Sequence, residues 1–277
     1  MSLMRFGDKS LDLSLPHIMG ILNVTPDSFS DGGLYSNIDR ALMHVDSMIE
    51  DGATIVDVGG ESTRPGAALV GLSEEIDRVI PVIEAIKSRF DVVVSVDTSQ
   101  AVVMTEAASV GAGLINDVRA LEKSGAMIAA ADAKLPVCLM HMQGAPMNMQ
   151  DNPVYDSVVD EVVGYLETRA QACIDSGILS ENIILDPGIG FGKSKEHNFQ
   201  LLNQLRTLVN KKWPVLIGAS RKTLIGDVLN RPVNERLFGT LGVHASAMER
   251  GASIFRVHDV KSHADVLTMM YRIKQES

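Results

Sequence analysis

Short apolar runs alternate with longer stretches of helical periodicity along almost the whole chain. The runs are His17–Leu22, Thr54–Val58, Val92–Val96, Gly113–Ile115, Pro136–Met140, Asn182–Leu185, Pro214–Ile217 and Ser253–Val257. They are rich in β-branched residues and apolar nearly throughout, as parallel strands covered on both faces should be. Between them, apolar residues recur at helical spacing from Ile38 to Glu50, Gln100 to Val110, Gly125 to Ala133, Val154 to Ser176, Lys195 to Asn210, Glu235 to Arg250 and Asp259 to Lys274. A further helix is expected to start at Ser73 as N-cap, with Glu74 and Glu75 in its first turn and an apolar stripe through Ile76, Val79, Ile83 and Ile86. Gly52, Gly111, Gly177 and Gly251 follow the predicted helices at the place of a left-handed C-terminal residue. About eight strand–helix units predict an α/β fold of the (β/α)8 TIM-barrel type, with a doubly wound open sheet as the alternative.

Length and charge narrow the picture. The 277 residues contain no linker or low-complexity break, so one domain over 1–277 is expected. A net charge of −10 without a Lys or Arg cluster argues against a nucleic-acid or anionic-membrane partner, so any anion must be held in a local pocket. The two cysteines, Cys138 and Cys173, have no Cys-x-x-Cys spacing. With no apolar leader and no run near the ~18 residues of a membrane span, a cytoplasmic location is expected. Asn23-Val24-Thr25 is a formal glycosylation sequon that this location leaves idle.

Polar residues stand where the strands end: Asn23, Asp57, Asp97, Asn116-Asp117, His141, Asp186, Ser220-Arg221-Lys222, and Arg256 with His258. In a barrel these ring the C-terminal rim, where βα loops build active sites. Asp259 reads as a helix N-cap. The stretch Gly20–Gly33 is the most informative. A strand delivers Asn23 into a loop carrying Asp27 and Asp31, oxygen donors suited to Mg²⁺ shared with a phosphate. Gly188-Ile189-Gly190-Phe191-Gly192-Lys193-Ser194 ends like a phosphate loop, but Pro187 occupies the first glycine position and the Walker pattern fails. Its glycines suit a tight loop that brings Phe191 and backbone close to a ligand. His44, His141 and His244 show no metal spacing and read as structural, and there is no nucleophile elbow or Cys placed as a nucleophile.

Ile21-Leu22-Asn23-Val24-Thr25-Pro26-Asp27-Ser28-Phe29-Ser30-Asp31-Gly32-Gly33 and Asp57-Val58-Gly59-Gly60-Glu61-Ser62-Thr63-Arg64-Pro65-Gly66 resemble the two signature loops of the dihydropteroate synthase family. Ser95–Thr98, Ile115–Asp117, Leu139–Met142, Leu185–Gly188, Ser220–Lys222 and Arg256–Asp259 resemble that family's later blocks, in the family's order. The resemblance implies a transferase of folate biosynthesis. Its members join 4-aminobenzoate to 6-hydroxymethyl-7,8-dihydropterin diphosphate and release pyrophosphate, with Mg²⁺ as cofactor, and they are the target class of the sulfonamides.

It also implies a division of the site. Asp186, Asp97 and Asn116 would meet the polar edge of the pterin, Lys222 would donate to its carbonyl and ring nitrogen, and Met140 and Phe191 would cover its faces. The diphosphate would fall to Asn23, Thr63, Arg64, Arg256 and His258, with Arg256 and His258 projecting from one strand face onto the same group. Asn23 would reach the metal. Asp27 would join Thr63, Arg64 and Lys222 among the catalytic residues, leaving open whether Asp27 or Asp31 supports the metal. Phe29, Pro65 and Ser220 would hold 4-aminobenzoate. The small-molecule substrates would be the partners, alongside a second copy in a homodimer. A corrinoid-dependent methyltransferase and a non-catalytic pterin-binding paralogue are the alternatives, and neither needs the Thr63-Arg64 loop.

Overall fold

The apolar runs become the staves of a barrel. The computed structural model describes residues 3–24, 34–61, 70–144 and 149–276. An antiparallel hairpin, β1 (Leu3–Phe6) and β2 (Lys9–Asp12), precedes β3 (His17–Asn23), and then strands and helices alternate. They are α1 (Leu34–Glu50), β4 (Ile55–Gly59), α2 (Leu72–Arg89), β5 (Val93–Asp97), α3 (Ala101–Ser109), β6 (Leu114–Asp117) and α4 (Ala126–Ala133). β7 (Val137–Met140), α5 (Val158–Asp175), β8 (Ile183–Asp186), α6 (Lys195–Asn203), α7 (Arg206–Val209) and β9 (Leu216–Ile217) follow. The chain finishes with α8 (Thr223–Leu229), α9 (Leu237–Glu249), β10 (Ile254–Val257) and α10 (Val260–Gln275).

Eight parallel strands pair in the order β8-β7-β6-β5-β4-β3-β10-β9. The two ends of that order meet at one bridge, Leu185 opposite Val215, with the Leu185 N–H donating to the Pro214 carbonyl at 2.9 Å. The sheet is thus a nearly closed barrel with helices outside it, as the periodicity predicts. Successive side chains on a strand point to opposite faces, so each strand feeds two clusters. Val56, Val58, Val94, Val96, Leu139 and Leu185 pack outward in the large core with the helices. Met19, Ile55, Val93, Leu114, Cys138, Ile184, Leu216 and Ile254 fill the interior, and Met4 and Phe6 of the hairpin join them as a stopper. Two residues further along the same inward phase stand Asp57, Ser95, Asn116, Met140, Asp186 and Arg256. The polar rim grows out of the apolar plug.

Several expectations need correction. Ser73 does not cap its helix; Gly71 is the N-cap, in extended backbone and with no side-chain bond. Lys195–Asn210 is two helices, because the chain breaks after Asn203 and restarts at Arg206. The hairpin has no counterpart in the sequence reading. The four C-terminal glycines do take the left-handed conformation, with φ of 104°, 102°, 101° and 102° at Gly52, Gly111, Gly177 and Gly251.

Candidate active site

Two groups of polar residues meet at the C-terminal rim. In the first, the Arg256 guanidinium donates from Nε to Asp57 Oδ2 at 2.6 Å and from Nη2 to Asp97 Oδ2 at 2.9 Å. Asn116 Nδ2 donates to the same Asp57 oxygen at 3.1 Å. Burial and the nearby Asp57 push the Asp97 carboxyl up to about 7, against the pull of Arg256. Asp57 is fully buried, and its Oδ1 has no hydrogen-bond partner. The Arg256 guanidinium thus bonds two carboxylates. His258 instead ties to Ser220. Its backbone N–H donates to Ser220 Oγ at 3.2 Å, and its Nδ1 lies 2.9 Å from the same hydroxyl, the ring tautomer setting which of the two donates.

The second group surrounds β8 and the loop that follows. Asp186 Oδ1 accepts from the Gly188 N–H at 2.7 Å. Burial raises the Asp186 carboxyl, with Lys222 as the main opposing charge. Burial likewise brings Lys222 down to about 7, with Asp186 holding it up. The Lys222 ammonium donates to the Ile189 carbonyl and sits 4.2 Å from the centre of the Phe191 ring, a cation–π distance. Gly188, Gly190 and Gly192 have φ of 65°, 83° and 59°. At Gly188 a β-carbon would run into the His141 carbonyl oxygen and stand 3.3 Å from Met140 Cγ. The tight loop expected here thus exists and carries Phe191 against Lys222, beside Met140.

Backbone strain helps to aim Lys222. Arg221 holds a left-handed φ of 57°, a conformation that costs a non-glycine residue of order 1 kcal/mol and must be supported by its surroundings. The Arg221 N–H donates to Thr240 Oγ1 at 3.1 Å, and its guanidinium grips both carboxylate oxygens of Asp259. Asp259 sits at the N-cap of α10 but makes no capping bond, so its expected capping role is replaced by this ion pair. Burial would raise its carboxyl, yet the bond with Arg221 lowers it overall.

The barrel thus brings together Asp97, Asn116 and Arg256 in one group and Asp186, Phe191 and Lys222 in another, with Met140 beside the latter. Ser220 joins His258. Asn23 ends β3, half-buried and paired with Gly59. Asp27, Phe29, Thr63, Arg64 and Pro65 lie outside the described residues, as does Asp31. Among the described residues no group of three or more His, Cys, Asp or Glu is placed to hold a metal.

Two residues absent from the expected site belong to it. Asp57 had a signal: it lies two residues past Ile55, in the inward phase of β4. Lys193 had a weaker one, a lysine following three alternating glycines. It is buried, and its ammonium contacts His141 and the Gly188–Phe191 loop. Asp117, though on the same rim, closes a local turn by accepting from Ser99 and from the Arg119 and Leu121 N–H groups.

Comparison with known proteins decides the family. The model of the pterin binding enzyme family matches residues 19–258. The dihydropteroate synthase of Haemophilus influenzae is 53% identical over 260 residues, covering 94% of each chain. The chain belongs to the dihydropteroate synthase family. The Escherichia coli K12 member is also 53% identical, over 261 residues, covering 94% of this chain and 93% of its own. Among solved structures, the Yersinia pestis dihydropteroate synthase with a sulfonamide drug superposes with a TM-score of 0.94 at 49% identity, covering 99% of both chains. The Xanthomonas albilineans dihydropteroate synthase with 4-aminobenzoic acid gives 0.93 at 44% identity, covering 99% of this chain and 98% of that one. Membership makes this chain a transferase of folate biosynthesis and places the rim residues in a pterin-binding family.

Proposed function

We propose that the two rim groups divide the family's reaction between ring recognition and diphosphate departure. The reaction attaches the amine nitrogen of 4-aminobenzoate to the exocyclic methylene carbon of 6-hydroxymethyl-7,8-dihydropterin diphosphate. The carbon–oxygen bond to the diphosphate breaks, the leaving group takes the electron pair, and the new C–N linkage sheds a proton.

The observation that carries this reading is the juxtaposition of Asp186, Lys222 and Phe191. A pterin edge offers an amino group beside a ring N–H, a fork that one carboxylate accepts bidentately. Asp186 would take it, with Oδ1 also accepting from the Gly188 N–H. Lys222 donates to the ring carbonyl and nitrogen, while Phe191 and Met140 cover the faces. Asp97 and Asn116 meet the rest of the edge, oriented by Arg256 and Asp57. With the ring held, positive charge developing at the methylene is delocalised into it, so the weak aniline nucleophile needs no covalent enzyme intermediate.

The leaving group needs donors where negative charge collects. Nε and Nη2 of Arg256 serve carboxylates, but a guanidinium has five N–H donors, so the same side chain can also face an anion. His258 and Asn23 adjoin it on the rim, and Thr63 and Arg64 complete the set. Ser220 is offered to the carboxylate of 4-aminobenzoate, between Phe29 and Pro65. A divalent ion would sit at this site as a companion of the diphosphate, held by Asn23 and phosphate oxygens. Mg²⁺ suits those oxygen donors and supplies charge neutralisation when bound.

We read the chain as one pterin-binding barrel domain that works in the cytoplasm as a homodimer. The two cysteines are free and buried, which suits a reducing compartment. No helix among the described residues is long and apolar enough to cross a membrane.

The test is pyrophosphate release after mixing the protein with dihydropterin diphosphate and Mg²⁺, with and without 4-aminobenzoate, and product mass analysis. Amine-dependent release with dihydropteroate formed is expected. Binding of the pterin without turnover would instead identify a non-catalytic pterin-binding protein.

A further inference from the structure

Lys193 is the most enclosed lysine of the rim and takes no part in the reaction as described. Its side chain is 3% exposed, and Nζ lies 2.9 Å from His141 Nδ1, 3.2 Å from the His141 carbonyl, 3.0 Å from that of Gly188 and 2.9 Å from that of Phe191. An ammonium has three protons and no acceptor, so these four acceptors saturate it. Three belong to backbone that the fold leaves without a ladder. Gly188 and Phe191 lie past the end of β8, and His141 lies just past β7. Burying an ammonium is costly unless such partners are exact in place, so the arrangement is a constraint on the loop as much as on the lysine.

The loop has no apolar anchor of its own at Gly188, Gly190 and Gly192, each in left-handed backbone. Between the glycines Ile189 is fully buried in the large core, and polar bonds fix the rest: those of Lys193, the Asn198 Oδ1 bond from the Gly190 N–H at 2.7 Å, the Gln150 Nε2 bond to the Gly190 carbonyl at 2.8 Å and the Tyr155 hydroxyl bond to the Gly192 carbonyl at 2.7 Å. What it presents is the ring pocket: the Gly188 N–H to Asp186, and the Ile189 carbonyl and Phe191 ring to Lys222.

We propose that Lys193 is a positioning residue for pterin recognition, acting through the Gly188–Gly192 loop to set Asp186, Phe191 and Lys222. The proposal rests on the assignment of that pocket to the pterin ring. It separates the two rim groups, because the bonds of Lys193 reach the loop and His141 while Arg256, His258 and Ser220 are held by other partners. Burial lowers the Lys193 ammonium to about 7 against the pull of Asp186, and methionine, of similar length, removes the tether while filling its space.

The experiment compares wild type with Lys193→Met by calorimetry below the melting temperature, titrating a pterin lacking the diphosphate and, separately, pyrophosphate with Mg²⁺. The expected result is at least a tenfold weaker pterin and an unchanged pyrophosphate affinity. A lysine that merely stabilised the fold would leave both affinities unchanged, or lower both together; either result overturns the proposal. Where Lys193→Met does not yield folded protein, His141→Phe keeps a ring but removes the ring acceptor, leaves the three carbonyls and carries the same comparison, with a smaller loss confined to the pterin. Wild type that binds pyrophosphate but no pterin would overturn the pocket assignment, and the proposal with it.

Discussion

Arg256 offers the sharpest quantitative test of how the rim is held together. Replacing it with methionine keeps most of the stem and deletes the guanidinium that bonds Asp57 at 2.6 Å and Asp97 at 2.9 Å. Asp57 is fully buried and Asp97 is 9% exposed, so both carboxylates are left in a poorly solvated site. Removing one partner of a buried ion pair costs roughly 3–5 kcal/mol, most of it from the stranded charge. Unfolding entropy of about 2.1 cal/mol/K per residue gives roughly 0.6 kcal/mol/K for a chain of this length, so the melting temperature should fall by about 5–9 °C. The source of the loss is checked by adding Asp57→Asn, which removes the charge at nearly constant shape. In ligand-free protein, urea unfolding of the four species should show coupling: the double variant should be at least ~1.5 kcal/mol more stable than the sum of the single losses predicts. Additive losses would refute the reasoning, because they would mean that the stranded Asp57 charge is not what destabilises Arg256→Met.

Three further outcomes are expected. Lys222→Ala and Asp186→Asn should each abolish measurable pterin binding by calorimetry while leaving folded protein by circular dichroism; retained affinity removes that residue from the pocket. Pterin affinity should pass through a maximum near pH 7. Lys222, brought down to about 7 by burial, loses its donor charge as pH rises, and Asp97, raised to about 7 by burial, loses its acceptor charge as pH falls. A flat profile between pH 5.5 and 8.5 counts against both assignments. Gly188→Ala should give little soluble protein or a markedly lower melting temperature, since the added methyl meets the His141 carbonyl in a backbone at φ 65°; a wild-type melting curve would show that the loop relaxes freely.

The strands were legible because a parallel strand buried on both faces must be apolar throughout, and seven of the eight runs overlap their strands closely. β9 is the exception, with only Leu216 and Ile217 of Pro214–Ile217 in strand pairing. The hairpin was not legible, since Leu3–Phe6 and Lys9–Asp12 are four residues each and only Met4 and Phe6 are buried among them. The site was read through motif positions, which locate Asp97, Asn116, Asp186 and Lys222 but say nothing about who bonds whom. That Arg256 turns to Asp57 and Asp97, in β4 and β5 and more than 150 residues away, and that His258 turns to Ser220, 38 residues away beyond β9, follows from the closing of the barrel. Lys193 stayed hidden because a lysine at a loop end is ordinarily exposed, and only the three-dimensional fold of its glycines shows that this one is enclosed.

The single bridge between Leu185 and Val215 also bears on the relation between ligand and fold. Every other neighbouring pair of staves shares two or more paired positions, whereas β8 and β9 meet at this one place. The proposed ring pocket spans that seam, with Asp186 at the end of β8 and Lys222 beyond β9. A pterin seated between them would act as a rivet, joining by side-chain bonds two staves that the backbone scarcely fastens. Substrate would then be a temporary part of the wall of the vessel that processes it, and the empty barrel would be loosest on the side where its work begins.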